Sequence, residues 1–288
     1  MSRDARACEE RVAAILGRDQ VASGEAVEGW RVGGGAPAAV AFPRTVEEVK
    51  EVMTAAAAEG WAVVPSGRGL SLAGGEACER LDVVLSTSRM DGTVDYEPAD
   101  LTLSVEAGAS LEAVANLTAG EGQWLPMEPP GSSSATLGGA FAYAFGGPLG
   151  TSFGRPRDLI LGLTCVTGDA RILRLGGRVV KNVAGFDLLK LLVGSQGTLG
   201  VITEVTVRLY PIPATETFLV ARSDEATDLV PAARAVATAP LLPASVELGG
   251  RPGRGAAALV VRLRGSPEAV AADAHALRAV APGLTRVD

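Results

Sequence analysis

The sequence is poor in the residues from which metalloenzymes and hydrolases build their sites. Among its 288 residues there is one histidine, His275, and there are three scattered cysteines, Cys8, Cys78 and Cys165. Zinc sites and Ser-His-Asp triads therefore have almost no material to draw on. The cysteines include no C-x-x-C pair, so neither an iron–sulfur cluster nor a disulfide framework is expected. Any redox chemistry in this chain would need an organic cofactor.

Positive charge and long apolar runs are also scarce. Lys and Arg total 26 against 33 Asp and Glu, a net charge of −7, which argues against nucleic acid as a partner. No apolar run is long enough to span a bilayer, and the first residues, MSRDARACEE, lack an apolar signal core. With 47% hydrophobic and 20% charged residues, we expect a folded chain of roughly two domains. We expect a cytoplasmic protein, either free or held at a membrane through its partners.

Glycine, in contrast, is abundant and concentrated in loops. The segment 64–75, VPSGRGLSLAGG, follows an apolar strand predicted at 61–65. Glycines tolerate positive φ, and successive amide N–H groups in such a turn can form an anion nest suited to a diphosphate. An ordinary turn after a strand is the alternative. The glycines concerned are Gly67, Gly69, Gly74 and Gly75.

A second unusual loop covers 129–139, PPGSSSATLGG, before a small-residue segment, 140–147, that we expect to be helical. Its serines are compatible with a flexible turn. However, a flexible linker would not normally be framed by Leu137, Phe141 and Tyr143. We therefore favour a packed loop.

Helices and strands alternate in an α+β pattern. Thr45 and Glu48 have the spacing of a capping box, which predicts a helix over 45–58. The other helices of this part are expected at 111–119 and 187–193. Its other strands are expected at 81–85, 101–105, 159–167, 170–175 and 200–209.

Pro211 and Pro213 predict a domain boundary. Beyond them, the order β-α-β-β-α-β predicts a small ferredoxin-like domain. Its strands are expected at 217–221, 244–248, 256–263 and 284–287, and its helices at 224–238 and from Ser266–Pro267 onward. We thus predict three segments: an N-terminal helical segment 1–33, a main domain 34–213 and a C-terminal domain 214–288.

Several motifs, in this order, resemble the FAD-binding domain of the vanillyl-alcohol oxidase/p-cresol methylhydroxylase (PCMH) type over roughly 34–213. They are AFPRTVEEV (41–49), PSGRGLS (65–71), VEAG (105–108), ATLGG (135–139), DLILGL (158–163) and GSQGTLGVITE (194–204). Within that family, KNVAGFD (181–187) before LVG (192–194) is most similar to the E subunits of bacterial glycolate oxidases. The resemblance implies a two-subdomain PCMH-type FAD-binding domain followed by a small ferredoxin-like α/β C-terminal domain.

The resemblance also implies cofactor-binding residues. The first loop would hold the FAD diphosphate, the second would line the flavin, and the segment 182–202 would reach the flavin edge and the adenosine half. The residues implied are Ser66, Gly67, Arg68, Gly69, Leu70, Ser71, Pro130, Gly131, Thr136, Leu137, Gly138, Gly139, Ala142, Gly146, Asn182, Gly185, Gly197, Gly200 and Ile202. Leu70 stands where tethering members of the family place a histidine, so we expect FAD to be bound non-covalently. Attachment through Cys165 is disfavoured because that residue lies within a predicted strand.

No catalytic base is evident. Members of the family that oxidise 2-hydroxy acids carry several histidines in a longer C-terminal domain, whereas this chain has only His275 there. The resemblance therefore favours an FAD-binding subunit of a glycolate-oxidase-like complex, with a hydroxy-acid-oxidising flavoprotein and an iron–sulfur protein as partners. One alternative is a free-standing FAD-dependent oxidoreductase acting on an alcohol, sugar or 2-hydroxy acid, with Tyr143, Tyr210 or a C-terminal carboxylate as base. Another is a non-catalytic scaffold.

Overall fold

The structure is a computed structural model that describes residues 3–74, 78–131, 133–177, 187–250 and 257–287. These residues form two compact units. The first takes in residues from the ranges 1–125, 129–145 and 156–210, and the second takes in residues from 126–128, 146–155 and 211–288. In the described part of the chain, no helix is both long and apolar enough to cross a lipid bilayer.

The regular elements follow one another along the whole chain. The α-helices are α1 (Arg3–Leu16), α2 (Val46–Glu59), α3 (Leu111–Ala119), α4 (Leu137–Tyr143), α5 (Gly150–Phe153), α6 (Pro156–Leu159), α7 (Leu188–Leu192), α8 (Ala226–Thr238) and α9 (Pro267–Val280). The strands are β1 (Val21–Ala22), β2 (Ala39–Ala41), β3 (Val63–Ser66), β4 (Val83–Ser86), β5 (Thr93–Glu97), β6 (Thr102–Glu106), β7 (Gln123–Trp124), β8 (Ile160–Val166), β9 (Ile172–Gly176), β10 (Val201–Arg208), β11 (Tyr210–Pro211), β12 (Thr215–Ser223), β13 (Ser245–Gly249), β14 (Ala257–Gly265) and β15 (Thr285–Val287).

The first unit contains a four-stranded sheet in the order β1-β2-β4-β3. Strands β2, β4 and β3 are parallel, which requires a crossover, and α2 supplies it between β2 and β3. The Thr45 hydroxyl accepts a hydrogen bond from the Glu48 amide at the start of α2, and Gly60 ends the helix with φ +65°. Parallel strands are buried on both faces, in keeping with the uninterrupted and fully buried apolar run 83–85 in β4.

A second, antiparallel sheet of the first unit has the order β5-β6-β10-β8-β9. Successive side chains of a strand point to opposite faces, so Val205 and Val207 of β10 face the core and Thr206 faces away from it. The hydroxyls of Thr206 and Ser104, its register partner on β6, share a hydrogen bond of 2.8 Å. Strand β10 is paired on both sides, which fixes its first residues, Val201 and Ile202, in place.

Most elements of the first unit are confirmed with bounds shifted by one to three residues, and α3 has the predicted bounds. The small-residue helix is an exception, because α4 begins earlier than predicted and ends at Tyr143. The Thr136 hydroxyl caps it by accepting from the Gly139 amide, and Ala144 ends it with φ +54°. The sequence does not predict β5, whose residues are mostly exposed and include acidic residues that are rare in strands.

The N-terminal segment belongs to the core of the first unit. Residues Cys8, Val12 and Leu16 of α1 are buried against α2 and the parallel sheet. The helical part of the N-terminal segment predicted at 1–33 therefore packs into the core of the main domain.

The second unit has the element order β12-α8-β13-β14-α9-β15 and the sheet order β13-β14-β12-β15, in which every pairing is antiparallel. Leu219, Leu259 and Val261 lie on one face of the sheet and form a core with Leu229 of α8 and Leu277 of α9. Ser266 caps α9, and Pro267 occupies its first turn, as the sequence predicts. Two short segments from within the predicted main domain, 126–128 and 146–155, also belong to this unit.

Candidate functional site

One cavity of about 360 Å³ lies wholly within the first unit. Its wall comes from the loop after β3, the segment 129–145 with α4, and the turn that leads into β10. The lining residues are Pro65, Ser66, Gly67, Arg68, Gly69, Leu70, Ser71, Leu72, Gly74, Thr87, Pro129, Pro130, Ala135, Thr136, Gly138, Gly139, Ala140, Ala142, Tyr143, Phe145, Gln196, Gly197, Gly200, Val201 and Ile202.

The loop after β3 presents backbone donors. The Ser66 carbonyl accepts from the Thr87 amide at 2.9 Å, and the Gly67 carbonyl accepts from the Ser86 hydroxyl at 2.7 Å, so the carbonyls of the loop's first residues are held by β4 and the residue after it. The amide N–H groups from Gly67 to Ser71, in contrast, donate to no acceptor among the described residues. Five consecutive amides without an acceptor among the described residues can form a nest for an anion.

The start of α4 offers no such donors. The amides of Leu137 and Gly138 donate to the carbonyls of Ala109 and Ala107, both at 2.8 Å, and the Gly139 amide donates to the Thr136 hydroxyl at 3.2 Å. Those three donors are satisfied within the protein. In this cavity, the loop after β3 is therefore a better anion-binding element than the helix terminus.

Absence of a side chain at Gly67 allows the two loops to meet. A Cβ atom on Gly67 would lie 2.1 Å from the Thr136 hydroxyl oxygen, far inside van der Waals contact. A Cβ atom on Gly138 would lie 2.6 Å from that of Ala107. Both glycines permit approaches that no other residue type allows without local movement.

The turn before β10 is attached to the end of α4. The Gln196 amide donates to the Ala142 carbonyl at 2.8 Å, and the Gly194 amide donates to the Phe141 carbonyl at 3.0 Å. Gln196 has φ +54°, and Gly197 has φ +78° and packs against Pro65. Gly197 thus combines a left-handed backbone with a close approach, and this explains glycine at that position.

The cavity wall is mostly apolar and nearly uncharged. Arg68 is the only charged side chain among the described residues of the wall, and Tyr143 and Phe145 stack with ring centroids 5.3 Å apart and planes 15° from parallel. Among the described residues, no group of histidine, cysteine and carboxylate side chains is arranged to hold a metal. Cys165 is fully buried, and burial raises the pKa of its thiol to about 11, which makes it a poor nucleophile.

The structure brings most of the predicted cofactor-binding residues around this cavity. Those in its wall are Ser66, Gly67, Arg68, Gly69, Leu70, Ser71, Pro130, Thr136, Gly138, Gly139, Ala142, Gly197, Gly200 and Ile202. The other predicted residues fall elsewhere: Leu137 is fully buried in the core, Gly131 lies next to Leu70 without lining the cavity, and Gly146 belongs to the second unit. Asn182 and Gly185 lie outside the described residues.

Sequence reasoning missed part of the wall. Pro65, Thr87 and Val201 stand at strand ends beside the predicted loops, and their positions next to glycine-rich segments could have indicated them. Leu72, Gly74, Pro129 and Ala135 lie in the two loops that the sequence singled out, but they were not among the individual residues predicted to bind the cofactor. The lining residues outside those loops that were not predicted are Ala140, Tyr143, Phe145 and Gln196. Their contribution depends on how the segments pack together.

Arg262, Arg264 and His275 of the C-terminal part have ordinary surroundings. Arg262 donates to both carboxylate oxygens of Glu128, at 2.8 and 2.7 Å, and to Glu216 at 2.9 Å. Arg264 also pairs with Glu216. His275 is exposed on α9, and Arg251 and Arg254 lie outside the described residues. Arg262 is thus already neutralised by carboxylates of the protein.

Residues 37–176 match a family model described as an FAD binding domain. With the fold and the cavity described above, this match shows that the chain carries an FAD-binding domain of the PCMH type. The predicted α+β fold of this type is confirmed, because the structure of p-cresol methylhydroxylase matches 100% of this chain and 66% of its own with a TM-score of 0.77. At 20% identity, that likeness concerns the fold alone.

Two curated relatives are closer in sequence. D-2-hydroxyglutarate dehydrogenase of Xanthomonas citri pv. viticola is 39% identical over 186 residues, which are 64% of this chain and 39% of the relative. Glycolate oxidase subunit GlcE of Escherichia coli is 42% identical over 123 residues, which are 42% of this chain and 35% of the relative. The matched segments thus span well under half the length of either relative.

The cavity fits the cofactor that the family binds. An FAD molecule has an anionic diphosphate between two planar ring systems. The unpaired amides of Gly67–Ser71 provide donors for the diphosphate, and the apolar wall with its stacked aromatic pair provides surface for a ring. The cofactor predicted from the sequence is therefore FAD, in agreement with the domain that the chain carries.

Proposed function

We propose that this chain binds FAD non-covalently in the cavity of the first unit and takes part in the oxidation of a 2-hydroxy acid. The observation that carries the proposal is the run of five unpaired amides beside an apolar, nearly uncharged cavity. Relatives named glycolate oxidase subunit and D-2-hydroxyglutarate dehydrogenase support the substrate class. The proposed cofactor-binding residues are those predicted from the sequence that line the cavity.

In this proposal, each part of the cavity wall has its own role in binding the cofactor. Bound FAD would supply the redox chemistry that the side chains of the wall lack. The amides of Gly67–Ser71 would hold its diphosphate. The close approach of Gly67 and Thr136 keeps the second loop against the first, and Gln196 and Gly197 close the remaining side.

We further propose that the chain works as a subunit, with a hydroxy-acid-oxidising flavoprotein and an iron–sulfur protein as partners. A proton must leave the substrate hydroxyl during oxidation, and such bases are most often histidine or a carboxylate. The described residues of the cavity wall include no histidine and no carboxylate. The phenol of Tyr143 is the most acidic hydroxyl among them, and it donates to the Ser71 carbonyl at 3.5 Å. We therefore assign substrate oxidation to the assembled complex rather than to this chain alone.

The first test is the absorption spectrum of the purified chain. We expect a yellow protein that releases its flavin into the supernatant on acid precipitation. Ala142→Phe places a large ring into the cavity and should abolish flavin binding. Ala57→Phe introduces the same ring on the exposed side of α2 and should leave binding unchanged. A colourless wild-type protein that does not take up added FAD would refute the proposal.

The second test concerns the subunit role. The chain is assayed with glycolate and D-lactate and a dye acceptor, first alone and then after co-expression with the products of neighbouring genes. We expect turnover only when the partners are present. Turnover of either acid by the isolated flavin-loaded chain would favour a free-standing oxidoreductase, with Tyr143 as the first base to replace.

A further inference from the structure

Ser86, the last residue of β4, lies behind the cavity wall rather than in it. Its side chain is fully buried, and its hydroxyl donates to the Gly67 carbonyl at 2.7 Å. The same hydroxyl oxygen accepts from the Ser88 amide at 3.3 Å. Because an amide N–H can only donate and a carbonyl can only accept, the single hydroxyl proton of Ser86 is directed at Gly67. A buried side chain outside the wall therefore holds one carbonyl of the loop after β3.

The held carbonyl fixes the direction of the next amide. A peptide group is planar and trans, so its carbonyl and its N–H point to opposite sides. Since the Gly67 carbonyl points to Ser86, the Arg68 amide of the same peptide group points away from Ser86, to the side on which the loop lines the cavity. The Thr87 amide acts in the same way on the preceding peptide group, because it donates to the Ser66 carbonyl at 2.9 Å. These two bonds turn two successive N–H groups of the loop the same way.

The two bonds differ in what maintains them. The Thr87 bond is formed by the backbone and continues the parallel pairing of β3 with β4, so it does not depend on a side chain. The Gly67–Arg68 peptide group lies beyond that pairing, which ends at Ser66, and glycine leaves it free to rotate. A flipped peptide group would present a carbonyl oxygen to the cavity in place of an N–H group, and that oxygen would repel an anion. The Ser86 hydroxyl holds the group in the orientation that attracts one.

We propose that Ser86 is a positioning residue, whose hydrogen bond to the Gly67 carbonyl fixes the Arg68 amide as a donor to the diphosphate of the bound dinucleotide. The inference rests on the proposed function and deepens it, because it names a residue outside the cavity wall on which anion binding depends. Ser86 itself touches no ligand. Without its hydroxyl, the Gly67–Arg68 peptide group can adopt both orientations, and the apparent affinity falls with the fraction of chains in the orientation that binds.

The first measurement is the affinity of the flavin-free full chain for FAD and for ADP, by isothermal titration calorimetry. Loss of one fixed donor to a charged group should weaken FAD binding by Ser86→Ala about tenfold, which corresponds to about 1.4 kcal/mol. ADP carries the same diphosphate without the flavin ring. We therefore expect its affinity to fall by the same factor.

Two further variants separate the hydrogen bond from packing and from stability. Ser86→Cys keeps the buried position filled, but a thiol is only a weak donor, so its affinities should lie closer to those of Ser86→Ala than to the wild type. Ser104→Ala is the matched control. Ser104 is a buried serine of β6 in the same unit, outside the cavity wall, and its hydroxyl shares a hydrogen bond of 2.8 Å with Thr206. This variant should lose a similar amount of stability in urea and bind both ligands like the wild type.

A second measurement follows the Arg68 amide itself, by nuclear magnetic resonance of the isotope-labelled chain. Donation to a phosphate moves an amide proton downfield. Saturation with ADP should therefore shift the Arg68 signal downfield in the wild type and in Ser104→Ala, and shift it less in Ser86→Ala. A loss of stability alone would not change this shift at saturation.

Three results would overturn the inference and leave the proposed FAD site standing. In the first, Ser86→Ala or Ser86→Cys binds FAD and ADP as tightly as the wild type, so the hydrogen bond is not needed. In the second, Ser104→Ala is weakened as much as Ser86→Ala, so the effect is general. In the third, the Arg68 shift is the same in Ser86→Ala as in the wild type. A wild-type chain that binds neither ligand would instead refute the proposed function itself.

Discussion

The contact between Gly67 and Thr136 makes a sharp prediction about stability. Gly67→Ala adds one methyl group, whose carbon would lie 2.1 Å from the Thr136 hydroxyl oxygen, 2.9 Å from its Cγ2 and 3.0 Å from its Cβ. Thr136 is buried and caps α4 by accepting from the Gly139 amide. The added methyl group must therefore displace a side chain that has little room to move and that holds the start of a helix.

The magnitude follows from two costs and one gain. Overpacking a well-packed site costs about 1–3 kcal/mol, and loss of a helix N-cap costs about 0.5–2 kcal/mol. Alanine also restricts the unfolded chain, which offsets about 0.4–1 kcal/mol. We expect a net loss of about 2–3 kcal/mol in the free energy of unfolding, or roughly 4–12 °C in the melting temperature of a unit of this size.

The assay is thermal and urea unfolding of the flavin-free chain, so that ligand binding does not add to the measured stability. Gly74→Ala is the matched control, because it lies in the same loop and lines the same cavity, yet a Cβ atom there would meet nothing within 4 Å. We expect Gly74→Ala to unfold within about 1 kcal/mol of the wild type.

A second substitution decides whether the clash is the cause. Thr136→Gly removes all three atoms that the new methyl group would meet. In that background, Gly67→Ala should cost less than about 1 kcal/mol, since coupled neighbours are not additive. If Gly67→Ala costs the same in both backgrounds, the reasoning is refuted.

Three further predictions concern groups outside this contact. Burial raises the pKa of the Glu204 carboxyl above its value in the unfolded chain. The contribution of Glu204 to stability is therefore full at low pH and is lost as the pH rises through the folded-state pKa. Glu204→Gln should stabilise the chain at pH 7 and not at about pH 3.5, as measured by urea unfolding. A thiol reagent should modify Cys78, which is exposed, in the native chain and reach the buried Cys8 and Cys165 only in denaturant, and rapid native reaction of all three would contradict their burial. Arg262→Gln should destabilise the second unit by about 1–3 kcal/mol, because it removes the guanidinium shared by the partly buried carboxylates of Glu128 and Glu216. An unchanged melting curve would show that those two carboxylates are solvated.

Local signals in the sequence predicted most of the elements, because caps and turns act over a few residues. Thr45 with Glu48, and Ser266 with Pro267, each mark the start of a helix that the structure contains. The bounds of α4 were missed because Ala144, which ends it with φ +54°, belongs to a residue type that seldom adopts this conformation. Strand β5 was missed because its exposed, acidic residues lack an apolar pattern.

The residues of the candidate site were likewise only partly predictable from the sequence. The glycine-rich segments were visible because glycine is needed wherever the backbone turns sharply or approaches another chain segment closely. Tyr143, Phe145 and Gln196 were not identified as parts of one wall. Their placement depends on hydrogen bonds between the end of α4 and the turn before β10, which no short-range pattern encodes.

By itself, the sequence determined the class of the protein and the places where its loops interrupt regular structure, because both depend on residue order within short segments. Only the tertiary structure decided that Gly67 meets Thr136, that Arg68 is the one charged side chain among the described residues of the cavity wall, and that Arg262 is already paired with Glu128 and Glu216. Such contacts join residues that are far apart in the chain. They depend on the pairing of strands and on the packing of helices against them, and these are properties of the whole fold.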